Sequence, residues 1–303
     1  MNKLSSLQEA IAGEIHDGMS VVMGCGLESL IPFAAGYEII RQKKKDLTLI
    51  APISDMQFDQ IIGAGCVKKV IAAWVGNVAA GLGHNFRRAA EEGIPHPIEV
   101  EDHSNFTIAL ALKAAAVGLP FLPTKTAAGS DFSRAGHFKP VSCPFSGEEL
   151  LAVRAIKPDV AILHVQRADP EGNAHIWGNL GVVVEAARAA KKVILTCEEI
   201  VDHEVILSDP NRTLIQGFLV SSVVHEPFAS HPSPTQGYAR RDDDFYFDYH
   251  KESRTREGFE RWLEKWVLGI KDHKEFLALL GEERVRKLKP EGNLFSPSVS
   301  FNF

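Results

Sequence analysis

The chain has 303 residues, 45% of them hydrophobic, enough to bury a full core as one large or two smaller domains without disulfide staples. Its net charge of −6 is spread over a mixed-sign surface, and the one basic cluster, Lys43-Lys44-Lys45, falls in a helix-to-strand turn, which disfavours nucleic acid as a partner. No apolar stretch approaches membrane-spanning length, the opening segment reads as a helix instead of a signal peptide, and Cys25, Cys66, Cys143 and Cys197 form no Cys-x-x-Cys pair. Free thiols in a cytoplasmic protein with no metal site and no membrane contact are the expectation.

Ser6-Leu7-Gln8-Glu9 is a capping box, and Leu7, Ala10, Ile11 and Ile15 follow at helical spacing, so the first predicted helix ends by Gly18. Apolar runs at Val21–Met23, Leu47–Ala51, Val67–Trp74, Ile98–Val100, Leu119–Leu122, Val160–Val165 and Val193–Cys197 read as strands. Their continuous, non-alternating character is what a sheet covered on both faces requires. Helices predicted near Pro32–Gln42, His84–Glu92, Asn105–Val117 and Val182–Ala190 would supply the crossovers, giving an α/β fold with a mostly parallel sheet between helical layers. In such sheets ligands collect at the carboxyl ends of the strands.

The last third differs. Arg240-Arg241-Asp242-Asp243-Asp244 reads as a solvated charge run, after which Phe259, Trp262, Leu263, Trp266, Val267 and Ile270 mark the core face of an amphipathic helix. Asp272 is placed to cap a second short helix ending at Gly281, and the tail Phe295–Phe303 is apolar without a pattern.

Candidate chemistry lies in strand-end loops. Gly24-Cys25-Gly26 follows the first strand and serves either as a packing turn or as a place where backbone amides meet a ligand. Glu101-Asp102-His103-Ser104-Asn105 joins a strand to a helix: Ser104 and Asn105 suit an N-cap, and the Asn105 amide can also support an oxyanion on a substrate carbonyl. Asp102 and His103 resemble a dyad on paper, but adjacent residues rarely face one another and no nucleophile stands beside them. Thr126–Asp131, with Gly129 and Ser130, again puts small residues at a strand end, while His164 fits a buried, hydrogen-bonded position better than a ligand. Nucleophile-elbow, Walker, zincin and complete dinucleotide motifs are absent from the sequence.

Taken in order, these pieces resemble the A (alpha) subunit of family I coenzyme A transferases, in the glutaconate and 3-oxoadipate branch. The likeness runs from about Leu4 to Leu288. It is carried by Asp17-Gly18, Ile31-Pro32, Ile39-Ile40-Arg41-Gln42, Ile62-Gly63-Ala64-Gly65, Gly118-Leu119-Pro120-Phe121, Ala128-Gly129-Ser130-Asp131, Cys143-Pro144-Phe145, Trp177-Gly178, Thr196-Cys197-Glu198-Glu199 and His231-Pro232-Ser233. The family loop usually reads Gly-Gly-Phe; here it is Gly24-Cys25-Gly26, so an acyl-pocket wall made by the aromatic is missing.

The resemblance implies a CoA-transferase / NagB-RpiA-like fold forming one A-subunit domain over 1–303, with a helical extension over about 240–290. It also implies half an enzyme. A glutamate supplied by a partner B (beta) subunit takes the acyl group of an acyl-CoA and carries CoA as a glutamyl thioester to a short dicarboxylic or oxo acid by ping-pong kinetics; CoA is a substrate carrier and no permanently bound cofactor is expected. The nearest strings to the glutamate motif here, Pro170-Glu171-Gly172-Asn173 and Pro290-Glu291-Gly292-Asn293, fall in a turn and a tail. Asn105 would then polarise the thioester carbonyl, with Gly24, Cys25, Gly26, Ser104, Gly129 and Ser130 lining the substrate. The alternative is an acyl-CoA decarboxylase or hydrolase of the same architecture; Asn105 stands where related ring-opening hydrolases have a glutamate, and it cannot act as a general base.

Overall fold

The computed structural model describes residues 2–134 and 136–290. A nine-stranded sheet forms its centre. Strands β1 (Ser20–Met23), β2 (Leu47–Ile53), β3 (Val67–Trp74) and β4 (Glu99–Asp102) run parallel in the spatial order β4-β3-β2-β1. Beyond a separate small sheet, β5 (Phe121–Thr124), β6 (Phe138–Ser142) and β7 (Glu149–Arg154), the chain returns to the other side of β1 as β8 (Val160–Ala168). Two short antiparallel strands, β9 (Ala174–His175) and β11 (Thr213–Ile215), extend the end of β8, while β10 (Lys192–Ile200) and β12 (Val220–His225) continue the parallel sheet. Strand order therefore reverses beside β1, the position at which open α/β sheets leave a crevice at their carboxyl ends. Leu4 bridges to Val223 along the outer edge of β12; among the described residues β4 pairs with β3 alone.

The two faces of β1 show why its residues are continuously apolar. Val21 and Met23 enter one core with helices α1 (Leu7–Glu14), α2 (Phe33–Arg41) and α3 (Asp55–Gly63). Val22 enters the opposite core with α5 (Asn105–Ala116) and α6 (Val183–Ala189). Between α3 and α5 lies the short α4 (His84–Arg87), continued by a wider π turn; α7 (His203–Leu207) follows β10. The first core also takes in Phe245 and Tyr249 of α8 (Asp243–Glu252), Phe259 and Trp262 of α9 (Arg256–Leu263), and Phe276 of α10 (His273–Leu280). Trp262 sits edge-on between Tyr37 and Tyr249, with ring centroids 6.1 and 4.9 Å away. The predicted aromatic stripe is thus core, and Asp272 caps α10 by accepting from the Glu275 N–H.

Two expectations are corrected, and one element was not predicted. Leu119–Leu122 is no part of the main sheet: β5 pairs antiparallel with β7, and its alternating exposure, with Phe121 and Pro123 outward, is that of a sheet wet on one face. The charge run at 240–244 is not simply solvated, because Asp242 is only 5% exposed. It caps α8, takes both guanidinium N–H groups of Arg284, each at 2.7 Å, from α11 (Glu282–Leu288), and bonds the His231 ring at 2.8 Å. Burial pushes its carboxyl up, but His231 and Arg284 outweigh that and hold it down at about 2. The unpredicted element is α3, where apolar Met56, Phe58, Ile61 and Ile62 share burial with polar Asp55, Gln57, Asp59 and Gln60, so no apolar periodicity marks it. Asp59 accepts from the Tyr249 hydroxyl and Asn85, and Asp55 accepts from the Met56 and Val78 N–H groups at 2.8 and 3.0 Å. The Phe295–Phe303 tail lies outside the described residues.

Burial raises the Asp55 carboxyl to about 6 from an ordinary 3.8. A raised folded-state value favours the protonated form, so its contribution is fully present below the unfolded value and lost as pH rises through about 6. Asp55→Asn is accordingly expected to raise the urea midpoint at about pH 8 and leave it nearly unchanged at about pH 4. Equal effects at both would show that Asp55 does not titrate in this way.

Candidate active site

β1 is hydrogen-bonded on both sides and its side chains are buried on both faces, so the chain can leave it only by a sharp turn. Gly24 makes that turn at φ +71, and a Cβ there would lie 2.2 Å from Ser54 Oγ and 2.9 Å from Ser54 Cα. A Cβ on Gly26 would lie 2.3 Å from the Ser29 carbonyl oxygen. The Cys25 carbonyl accepts from Val182 N–H at 2.9 Å, and its thiol is buried and pushed far above the ordinary range by that burial. Gly24, Cys25 and Gly26 are therefore packed against the chain's own Ser54 and the start of α6, with their small size used up by protein contacts.

Asn105 occupies a different setting. It opens α5 at the carboxyl end of the sheet and is exposed, beside the half-exposed Phe106. Ser104 is the N-cap: its hydroxyl accepts from Thr107 N–H at 3.1 Å, and Thr107 Oγ1 in return accepts from Ser104 N–H at 2.9 Å. The amides at the start of this twelve-residue helix add a positive dipole end beside the Asn105 side chain. Gly129 and Ser130 lie on the exposed loop after β5, where Ser130 Oγ donates to the Ala127 carbonyl at 2.6 Å. Between the loop after β1 and Asn105 after β4 stand β2 and β3; three strand spacings put these sites about 14 Å apart on the same end of the sheet. The sheet aligns them without bringing them into contact.

Around Asn105 the fold assembles a group of side chains in pairings that the sequence did not single out. His103 faces Glu101, two residues back along the chain, and not its neighbour Asp102. Its Nε2 stands 3.3 Å from Glu101 Oε1 and its Nδ1 3.1 Å from Thr107 Oγ1. Lys69 Nζ binds Glu101 Oε2 at 2.8 Å and Glu99 Oε1 at 2.6 Å. The bond from His103, with Lys69 behind it, overcomes burial and holds the Glu101 carboxyl at about 2. His137, from the small sheet, stacks on His103 at 4.9 Å and bonds the Asp102 carbonyl at 2.9 Å. The period of two along a strand, which puts residues 101 and 103 on one face, was the available signal. Lys69 and His137 come from distant segments that carried none.

A cleft of about 710 Å³ opens beside this group, lined by Glu101, His137, Phe121, Lys139 and Arg154 among others. Midway along β8 and β10, His164 is buried between Thr196 Oγ1 at 2.9 Å and Glu198 Oε1 at 3.0 Å, the hydrogen-bonded position expected of it. All four cysteines are free thiols. Among the described residues no cluster of His, Cys, Asp and Glu could hold a metal ion, and no helix is long and apolar enough to cross a membrane.

Residues 4–226 match the family model described as coenzyme A transferase. The chain belongs to the coenzyme A transferase family. Within it, the chain is 43% identical to the A subunit of 3-oxoadipate CoA-transferase from Pseudomonas knackmussii, over 93% of this chain and 99% of that protein. Its fold superposes on the crystal structure of glutaconate coenzyme A-transferase from Acidaminococcus fermentans with a TM-score of 0.90 at 36% identity, covering 95% of this chain and 96% of the other. A decarboxylase, AibA/AibB, stands further away within the same fold, with a TM-score of 0.74 at 29% identity over 87% of this chain and 99% of that one.

The packing of the transferase's β1 loop sets a test. Gly24→Ala must move Ser54 and adopt a left-handed backbone with a side chain, and should cost about 2–4 kcal/mol in chemical denaturation. A loss under about 0.5 kcal/mol would mean that the loop has room to spare, as a ligand-facing loop would.

Proposed function

We propose that this chain is the A component of a two-subunit CoA-transferase that moves CoA from an acyl-CoA to a short dicarboxylic or oxo acid. The near full-length similarity to the corresponding component of a 3-oxoadipate CoA-transferase carries this reading. CoA is the group transferred, and a B subunit supplies the attacking carboxylate.

In the first half-reaction that glutamate adds to the thioester carbonyl, placing negative charge on the carbonyl oxygen. The C–S bond breaks, CoA leaves as thiolate, and an acyl-glutamyl anhydride remains. The thiolate then attacks the glutamyl carbonyl, releasing the first acid and leaving glutamyl-CoA; a second carboxylate reverses the steps. This chain's part is electrostatic. The exposed Asn105 side-chain N–H and the amides opening α5 meet the charge that develops on the oxygen, where a prearranged donor stabilises it most. Ser104 keeps the helix start in place, Gly129 and Ser130 offer an exposed loop wall, and Gly24-Cys25-Gly26 supplies a rigid floor at the reversal of strand order. The whole chain works as one such unit, the α8–α11 helices included. Asn105 has no basic group to draw a proton from water, which favours transfer over the hydrolase reading.

With the B subunit present, incubation with acyl-CoA should yield a borohydride-reducible thioester on the B chain, and a carboxylic acid acceptor should be required for turnover. Carbon dioxide release or acid release without an acceptor would select the decarboxylase or hydrolase instead. Asn105→Ala in the complex should lower kcat about 100-fold with little change in the KM for acyl-CoA.

A further inference from the structure

Resting on the role of Asn105 just given, we infer that His103 is its positioning residue: a buried imidazole that fixes the strand-to-helix corner from which Asn105 projects. The geometry is a closed set of contacts around residues 101–107. His103 is only 4% exposed, so it does not itself meet substrate. Glu101, held as a carboxylate, accepts from His103 Nε2–H, which leaves Nδ1 facing the Thr107 hydroxyl at 3.1 Å. Thr107 Oγ1 in turn accepts the Ser104 N–H, the peptide group joined to the residue before Asn105. One ring thus ties the last turn of β4 to the first turn of α5.

The other contacts brace that ring from independent elements. Lys69 of β3 holds Glu101 from the neighbouring strand at 2.8 Å. His137 and Phe138 pack on the imidazole from the small sheet, with centroids at 4.9 and 5.3 Å. His137 also bonds the Asp102 carbonyl, so both peptide flanks of His103 are held. A donor that must meet charge appearing on one oxygen loses most of its effect when displaced by about 1 Å, which costs up to about 100-fold in rate. The corner needs this bracing: among the described residues β4 ends at Asp102 with a single neighbouring strand, and Asn105 itself is exposed.

A double-mutant cycle on the A–B complex tests the inference. His103→Ala should lower kcat about 10- to 100-fold with the KM for acyl-CoA changed less than about twofold. The same change made in Asn105→Ala should cost nothing further, because the group it positions is gone. His103→Asn, whose amide reaches the Nδ1 position toward Thr107, should recover most of the loss. Equal losses in the two backgrounds would overturn the positioning role while leaving Asn105 in place. An Asn105→Ala enzyme of full activity would instead sink the reading beneath it. If His103→Ala fails to assemble, Thr107→Val removes the hydroxyl that bridges His103 Nδ1 and the Ser104 N–H at nearly constant volume and must show the same non-additivity with Asn105→Ala.

Discussion

The enclosure of β1 governs the rest of the molecule. Its residues are paired by β2 on one side and β8 on the other, and its side chains enter different cores on its two faces. From Val21 to Met23 a strand so confined takes apolar residues, and its exit needs a residue without a side chain, which Gly24 provides under Ser54. The reversal of strand order follows from the same confinement, since the chain must cross β1 to add β8 on its free side. The loop after β1 and the start of α5 both lie at the end of the sheet that this arrangement defines.

Asn105, proposed above as the polarising donor, sits toward the edge of that rigid centre. Asn105 is exposed at the start of α5, whereas the glycine loop after β1 is closed over by the chain's own backbone. The ionic groups near Asn105 are mutually satisfied: Lys69 spans two carboxylates, and Glu101 serves both Lys69 and His103. Nothing in that group is a poised nucleophile. The arrangement suits a polypeptide that orients and polarises a thioester while a second one brings the reacting carboxylate.

Much of the sheet was legible because buried parallel strands advertise themselves as unbroken apolar runs, and Val67–Trp74 has the same bounds in sequence and structure. The α5 cap was equally plain from Ser104 and Asn105. What escaped had polar residues in buried places. α3 carries Asp55 and Asp59 inward because α8 brings Tyr246 and Tyr249 to meet them across nearly two hundred residues, a pairing no local window holds. Asp242 looked solvated for the same reason, its partners His231 and Arg284 lying on either side in the sequence. The resemblance to a family supplied what periodicity could not, namely the expectation that the attacking group belongs to another chain. The Glu101–His103 pair was within reach of a strand's two-residue period but was hidden by the more familiar look of Asp102-His103.

The sheet's two margins differ. Leu4 closes the β12 side, and among the described residues no strand pairs with the outer edge of β4, where His137 bonds the Asp102 carbonyl. That edge is short, and the strand carries Glu99 and Glu101 with Lys69 bound between them. A foreign strand adding there would have to bury or break these ion pairs, so the same side chains that steady the His103 corner also guard the chain against edge-to-edge polymerisation.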